Sequence, residues 1–301
     1  MRTRLLAGLA ALTLAAPVLA QDLTVETATG PVQVGANPET VAVFDIAALD
    51  TLTALGVPVA GVPNPVYLSS LSEVAAQAQA VGTLFEPDFE ALAVMQPDLI
   101  VVGGRSSEQL GPVSDIAPAI DMTIWGDDLP GQARARIAAY GALFGKEAEA
   151  EALTADLDAK VAEARDAVAG KGSGLILLTN GGKISVYGAG SRFGWLHGEI
   201  GLPEAVDGLD AENHGQPVSF EFLAEHDPEW LLVIDRGAAI GAEGEAATAT
   251  LDNPLVAKTT AAREGQIVYL DAAPLYIAAG GAGAMMHTLD QIIAAFGASE
   301  G

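Results

Sequence analysis

The sequence predicts an α/β chain of two similar lobes joined by a single long helix, on three observations. Short β-branched runs alternate with amphipathic segments along the N-terminal part, an uninterrupted helical stripe fills the middle, and one helix–turn–strand unit occurs on each side of that stripe.

The elements follow in order. Leu23 to Val34 is rich in strand formers, and Val41-Ala42-Val43-Phe44 reads as a buried strand. A helix is expected from Ile46 to Leu55, stopped by Gly56, with Val59 to Val62 as the next strand. A strand at Leu99 to Val102, a helix near Ser107 to Ile116 and a strand around Met122 to Trp125 continue a rhythm typical of mainly parallel sheets. Lys146 to Ala169 then contains no Gly or Pro. Its Leu153, Leu157, Val161 and Val168 recur at helical spacing, Ala164 completes the stripe, and Gly145 and Gly170 bracket it. Such a helix would run roughly 36 Å at about 1.5 Å per residue, the width of a domain. The expected divisions are residues 21–145 for the N-terminal lobe, 146–169 for the linking helix and 170–301 for the C-terminal lobe.

The repeat is explicit. Phe89 to Arg105 reads FEALAVMQPDLIVVGGR, and Phe220 to Arg236 reads FEFLAEHDPEWLLVIDR. They align without a gap, each describing a helix with an acidic first turn, a proline-containing turn and a buried strand followed by arginine.

Composition narrows the function. Half the residues are hydrophobic and the formal net charge is −25, so the chain is globular and has nothing with which to neutralise a run of phosphates. Arg2 and Arg4, the apolar run Leu5 to Leu19 and the small residues at Val18-Leu19-Ala20 form an export signal peptide over residues 1–20. The absence of cysteine removes both disulfides and a lipid-modified cysteine, so a periplasmic protein without a lipid anchor is expected. No enzyme is expected, because no G-x-S-x-G, HExxH, Walker or strand-to-helix GxGxxG motif occurs. A resident metal is not expected either, since His197, His214, His226 and His287 are scattered.

Arg105, Arg192 and Arg236 each sit at or just beyond the carboxyl end of an apolar strand, where open α/β sheets place ligand contacts. A guanidinium donates several hydrogen bonds to oxygen anions and stays charged in a partly dry cleft. The acidic surface does not cancel that field, because charges further away than about 8 Å are largely screened at physiological salt.

The segments GGRSS (103–107), SRFGWLH (191–197), HGQPVSFEFL (214–223), LDNPLV (251–256), GQIVYLD (265–271) and LYIAAGG (275–281) resemble those of periplasmic ferric-siderophore-binding proteins of the enterobactin- and petrobactin-binding type. The resemblance runs through most of the chain in unbroken motif order. It implies the class III binding-protein fold of an ABC importer: two Rossmann-like lobes, one long helix and a ligand cleft between them. It also implies that Arg105, Arg192 and Arg236 surround catecholate oxygens, three positive charges facing the three negative charges of a ferric tris-catecholate. The ferric siderophore is then transported ligand, with no intrinsic cofactor, and the protein is a monomer serving an inner-membrane ABC permease dimer. Other iron chelates, haem, cobalamin or a free metal ion are the competing cargoes.

The resemblance also leaves roles open. His214 and Tyr276 either ligate Fe(III) when a siderophore leaves sites empty, or respectively cap the loop before Gln216-Pro217 and pack on the ligand. Trp195, Tyr187 and Tyr67 either line the pocket or belong to the core. Glu90 and Glu221, at equivalent places in the repeat, either favour their own helix N-termini or dock on the two permease subunits.

Overall fold

The computed structural model describes residues 22–126, 128–209 and 214–298; the signal peptide expected over residues 1–20 lies outside them. A hairpin of β1 (Asp22–Thr27) and β2 (Gly30–Gly35) precedes two five-stranded sheets. The first contains β3 (Val41–Val43), β4 (Gly61–Val62), β5 (Gln79–Ala80), β6 (Leu99–Val102) and β7 (Ala119–Asp121), ordered β5-β4-β3-β6-β7 and parallel throughout. The second contains β8 (Gly174–Asn180), β9 (Lys183–Tyr187), β10 (Gln216–Val218), β11 (Trp230–Asp235) and β12 (Ile267–Leu270), ordered β10-β9-β8-β11-β12. Here β8, β11 and β12 are parallel, while β9 and β10 run antiparallel. The expected two-lobed α/β architecture is the one observed.

Topology places the working surface. In each sheet the chain runs outward from a central strand and then crosses to its other side, so the order reverses between β3 and β6 and again between β8 and β11. A crevice opens at the carboxyl ends of strands at such a reversal. Val102 and Asp235 end β6 and β11, so the segments carrying Arg105 and Arg236 emerge at the two crevices.

The internal repeat extends to backbone detail. The helices Phe89–Met95 and Phe220–His226 both end on a left-handed non-glycine residue, Gln96 at φ 50° and Asp227 at φ 41°. Each is followed by proline, which cannot continue a helix.

The helix Glu147–Val168 buries Ala150, Leu153, Leu157, Val161, Ala164 and Val168, the face that its periodicity predicts. It packs against the preceding helix Leu129–Leu143 and against the C-terminal helix Ala282–Gly297. That last helix also lies on Ile46–Ala54 of the first lobe. There the buried Asp50 carboxylate accepts from the Ala284 amide at 2.9 Å, and the Thr51 hydroxyl accepts from the Ala282 amide at 3.2 Å. A second tie between the lobes is ionic: Arg134 meets Asp158 of the long helix at 2.7 Å and Glu199 at 2.6 Å.

Two expectations are corrected. The strand around Met122 to Trp125 lies earlier, at Ala119–Asp121, because these residues pair with Ile100–Val102; Met122 to Trp125 form an irregular segment. The helix near Ser107 to Ile116 is a 3-10 turn, Gly104–Gln109, followed by a short helix, Leu110–Ser114.

Candidate functional site

The site is built around Tyr276, the last residue of the short helix Ala272–Tyr276. Arg105 of the first lobe donates to the Tyr276 carbonyl at 2.7 Å and to the Ile277 carbonyl at 3.4 Å. Arg192 donates to the same Tyr276 carbonyl at 3.0 Å, and Arg236 Nε donates to the Tyr276 hydroxyl at 3.0 Å. The three guanidinium carbons stand 5.0, 4.8 and 5.9 Å from the centre of the tyrosine ring. The arginines selected in the sequence therefore converge from both lobes on one tyrosine.

Each arginine has a firm mount. Arg105 lies two residues after Gly103, where a Cβ would fall 2.4 Å from the buried Asp45 carboxylate and force it to move. The turn is fixed by the Gly103 amide donating to the Ser106 hydroxyl at 3.0 Å and the Gly104 amide donating to Thr123 Oγ1 at 2.8 Å. Arg192 stands over Phe193, and its buried neighbour Ser191 donates to the Gly188 carbonyl at 2.6 Å. Arg236 starts a short helix after β11 and donates to Asn180, the last residue of β8, at 3.3 Å.

None of the three pairs with a carboxylate within ion-pair distance among the described residues. Burial and the neighbouring Arg105 charge hold the Arg192 pKa below its ordinary value. Burial pushes the Tyr276 phenol up, but the Arg236 hydrogen bond and the charges of Arg236, Arg192 and Arg105 outweigh it, leaving the phenol below the usual range. Tyr187 goes the other way: burial pushes it up to about 12 despite Arg192. Tyr276 is thus the phenol whose anion this environment favours.

Two cavities meet at the arginines. One, of about 510 Å³, lies against the first lobe and is lined by Asp45, Leu84, Arg105, Ile124 and Trp125. The other, of about 760 Å³, lies against the second lobe and is lined by Asn180, Lys183, Tyr187, Glu221 and Arg236. Arg192, His214 and Tyr276 line both. His214 is exposed at this junction, so the His–Tyr pair named from sequence does face shared space.

The remaining candidates fall elsewhere. Trp195 is buried in the core and lines neither cavity, so its part in the expected binding set is withdrawn. Tyr67 lines a separate cavity of about 400 Å³ with Asp271 and His287. Glu90 and Glu221 are exposed in the first turns of their equivalent helices, and Glu221 also edges the second-lobe cavity. Asn180 and Trp125 were not singled out in the sequence. Asn180 ends an apolar strand just as the arginines' segments do, a signal that could have found it.

A crevice in each lobe, arginines of both lobes converging on Tyr276 and two cavities that share Arg192, His214 and Tyr276 define a two-lobed solute-binding protein. The chain belongs to the periplasmic binding protein family, whose profile matches residues 41–274. The petrobactin-binding protein YclQ of Bacillus subtilis is 35% identical over 260 residues, covering 85% of this chain and 82% of that protein. The YclQ crystal structure superposes with a TM-score of 0.86 at 32% identity, covering 92% of this chain and 99% of that one. The periplasmic catecholate-siderophore binding protein VctP of Vibrio cholerae gives a TM-score of 0.81 at 30% identity over 92% and 100% of the two chains. A TroA-like periplasmic binding protein of Xylanimonas cellulosilytica gives 0.82 at 39% identity over 91% and 98%. These relatives agree with the expected binding protein rather than an enzyme. Among the described residues no helix is long and apolar enough to cross a membrane.

Proposed function

We propose that the protein captures an anionic ferric siderophore of catecholate type in the interlobe cleft and delivers it to an inner-membrane ABC permease. The observation that carries this reading is the convergence of Arg105, Arg192 and Arg236 on Tyr276 with no carboxylate at ion-pair distance among the described residues. Catecholate oxygens bound to iron are anionic acceptors, and charge-assisted bonds from guanidinium groups are among the stronger hydrogen bonds in proteins. The Tyr276 oxygens now occupy donors that the chelate would take over. A phenol held below its usual pKa is also a hard oxygen donor, suited to Fe(III) when a tetradentate chelate leaves coordination sites open, and His214 supplies a nitrogen beside the same space.

A free metal ion is the weaker reading: among the described residues no three His, Cys, Asp or Glu side chains converge to hold one. The names of YclQ and VctP support a siderophore as cargo. Delivery rests on Glu90 and Glu221, exposed at equivalent positions on two similar lobes, an arrangement that suits a two-fold receptor. Titration with a panel of ferric catecholates and ferric hydroxamates tests the cargo. Submicromolar binding of a catecholate is expected. Tight binding of a hydroxamate with no response to any catecholate overturns the assignment.

A further inference from the structure

Both cavities mix charged and apolar lining: Asp45 and Arg105 stand with Leu84 and Ile124 on the first-lobe side, Lys183 and Glu221 with Val218 and Phe220 on the second. Trp125 is 63% exposed, while the other two tryptophans, Trp195 and Trp230, are 5% and 2% exposed. Its exposure does not come from a loose backbone. The Trp125 amide donates to Gln132 Oε1 at 3.2 Å, and Gln132 Nε2 donates back to the Trp125 carbonyl at 2.6 Å. Gln132 belongs to the helix Leu129–Leu143, so the backbone that carries the indole is anchored to a regular element at the rim of a cavity.

We propose that Trp125 is a specificity-determining wall of the ligand cavity that packs on an aryl ring of the bound chelate. An indole face and a catecholate ring offer each other offset or edge-to-face contact, and closing them together removes apolar area from water. The role rests on the siderophore reading above and sharpens it: the cargo carries an aryl ring that reaches the first-lobe rim of the cavity.

Calorimetric titration with the ferric complex of a synthetic bis-catecholamide, and with ferric citrate as an anionic chelate without an aryl ring, tests the role. Trp125→Ala is expected to weaken bis-catecholamide binding by about tenfold, with Trp125→Phe within about threefold of the wild type and ferric citrate affinity unchanged by either. The role is overturned if Trp125→Ala binds the bis-catecholamide as the wild type does, if the Phe variant falls as far as the Ala variant, or if both chelates weaken alike. Intact affinity with lost transport would make Trp125 a permease contact and equally overturn it. A wild-type protein that binds neither chelate removes the siderophore reading itself, an outcome distinct from the failure of Trp125 alone.

Discussion

Arg105 reaches across the cleft and donates to the Tyr276 carbonyl at 2.7 Å, so the first lobe holds the second through a group assigned to the ligand. Arg192 shares the acceptor, and two guanidinium groups on one carbonyl leave positive charge unspent. This pairing makes the arginines the first group to test.

Arg105→Ala, Arg192→Ala and Arg236→Ala should each weaken ferric catecholate binding by about 1.5–3 kcal/mol, the range for hydrogen bonds to charged groups. Calorimetry on each variant measures this directly. Full affinity in all three would remove the anion site.

Tyr276→Phe separates coordination from packing. With a tetradentate ferric bis-catecholate the variant should lose affinity and show a shifted charge-transfer band, whereas a hexadentate complex should keep its band. In a spectrophotometric titration of the free protein the same variant should lose an early-ionising phenol, because the three arginines hold Tyr276 below the ordinary range. Tyr187, raised by burial, should ionise near pH 12 in both proteins.

Glu90→Lys and Glu221→Lys should each abolish uptake into vesicles carrying the cognate permease while leaving siderophore affinity unchanged. Lost affinity in the Glu221 variant would instead assign that carboxylate to the cavity it borders.

Asp50 sets a pH dependence of stability. Burial pushes its carboxyl up to about 6 from an ordinary 3.8, against the lowering effect of the Ala284 and Gly283 amides. The folded state thus holds a proton that the unfolded state releases, a contribution complete below 3.8 and lost as pH rises through 6. Relative to Asp50→Asn, the wild type should lose up to about 3 kcal/mol across that window. Urea unfolding at several pH values reads the difference, and Asp45, raised in the same direction, cancels in the comparison.

Much of this was legible in the sequence because it depends on local pattern. The buried stripe from Leu153 to Val168 follows from periodicity, and the paired segments ending at Arg105 and Arg236 follow from a repeat in which both copies keep proline after the helix. Trp195 shows the limit: an aromatic three residues from Arg192 looks the same whether it faces a ligand or the core, and only its burial in one cluster with Leu196 and Phe193 decides. Trp125 shows another, since its apolar neighbours resemble a strand until Ala119–Asp121 takes the pairing positions beside β6. The central place of Tyr276 depends on contacts spanning most of the chain, which spacing does not encode.

The contact between the C-terminal helix and Ile46–Ala54 bears on how cargo enters and leaves. A pair of bodies connected by one strut can swing about it, but a second attachment at Asp50 and Thr51 takes away that free axis. Wide opening would have to break the hydrogen bond that the Ala284 amide donates to the buried Asp50 carboxylate, at a cost of about 1.5–3 kcal/mol when the carboxylate is ionised. Exchange is therefore expected to proceed through rotation of Arg105 and its neighbours within a nearly fixed frame, with the cation cluster letting go of tyrosine as it takes hold of the incoming anion.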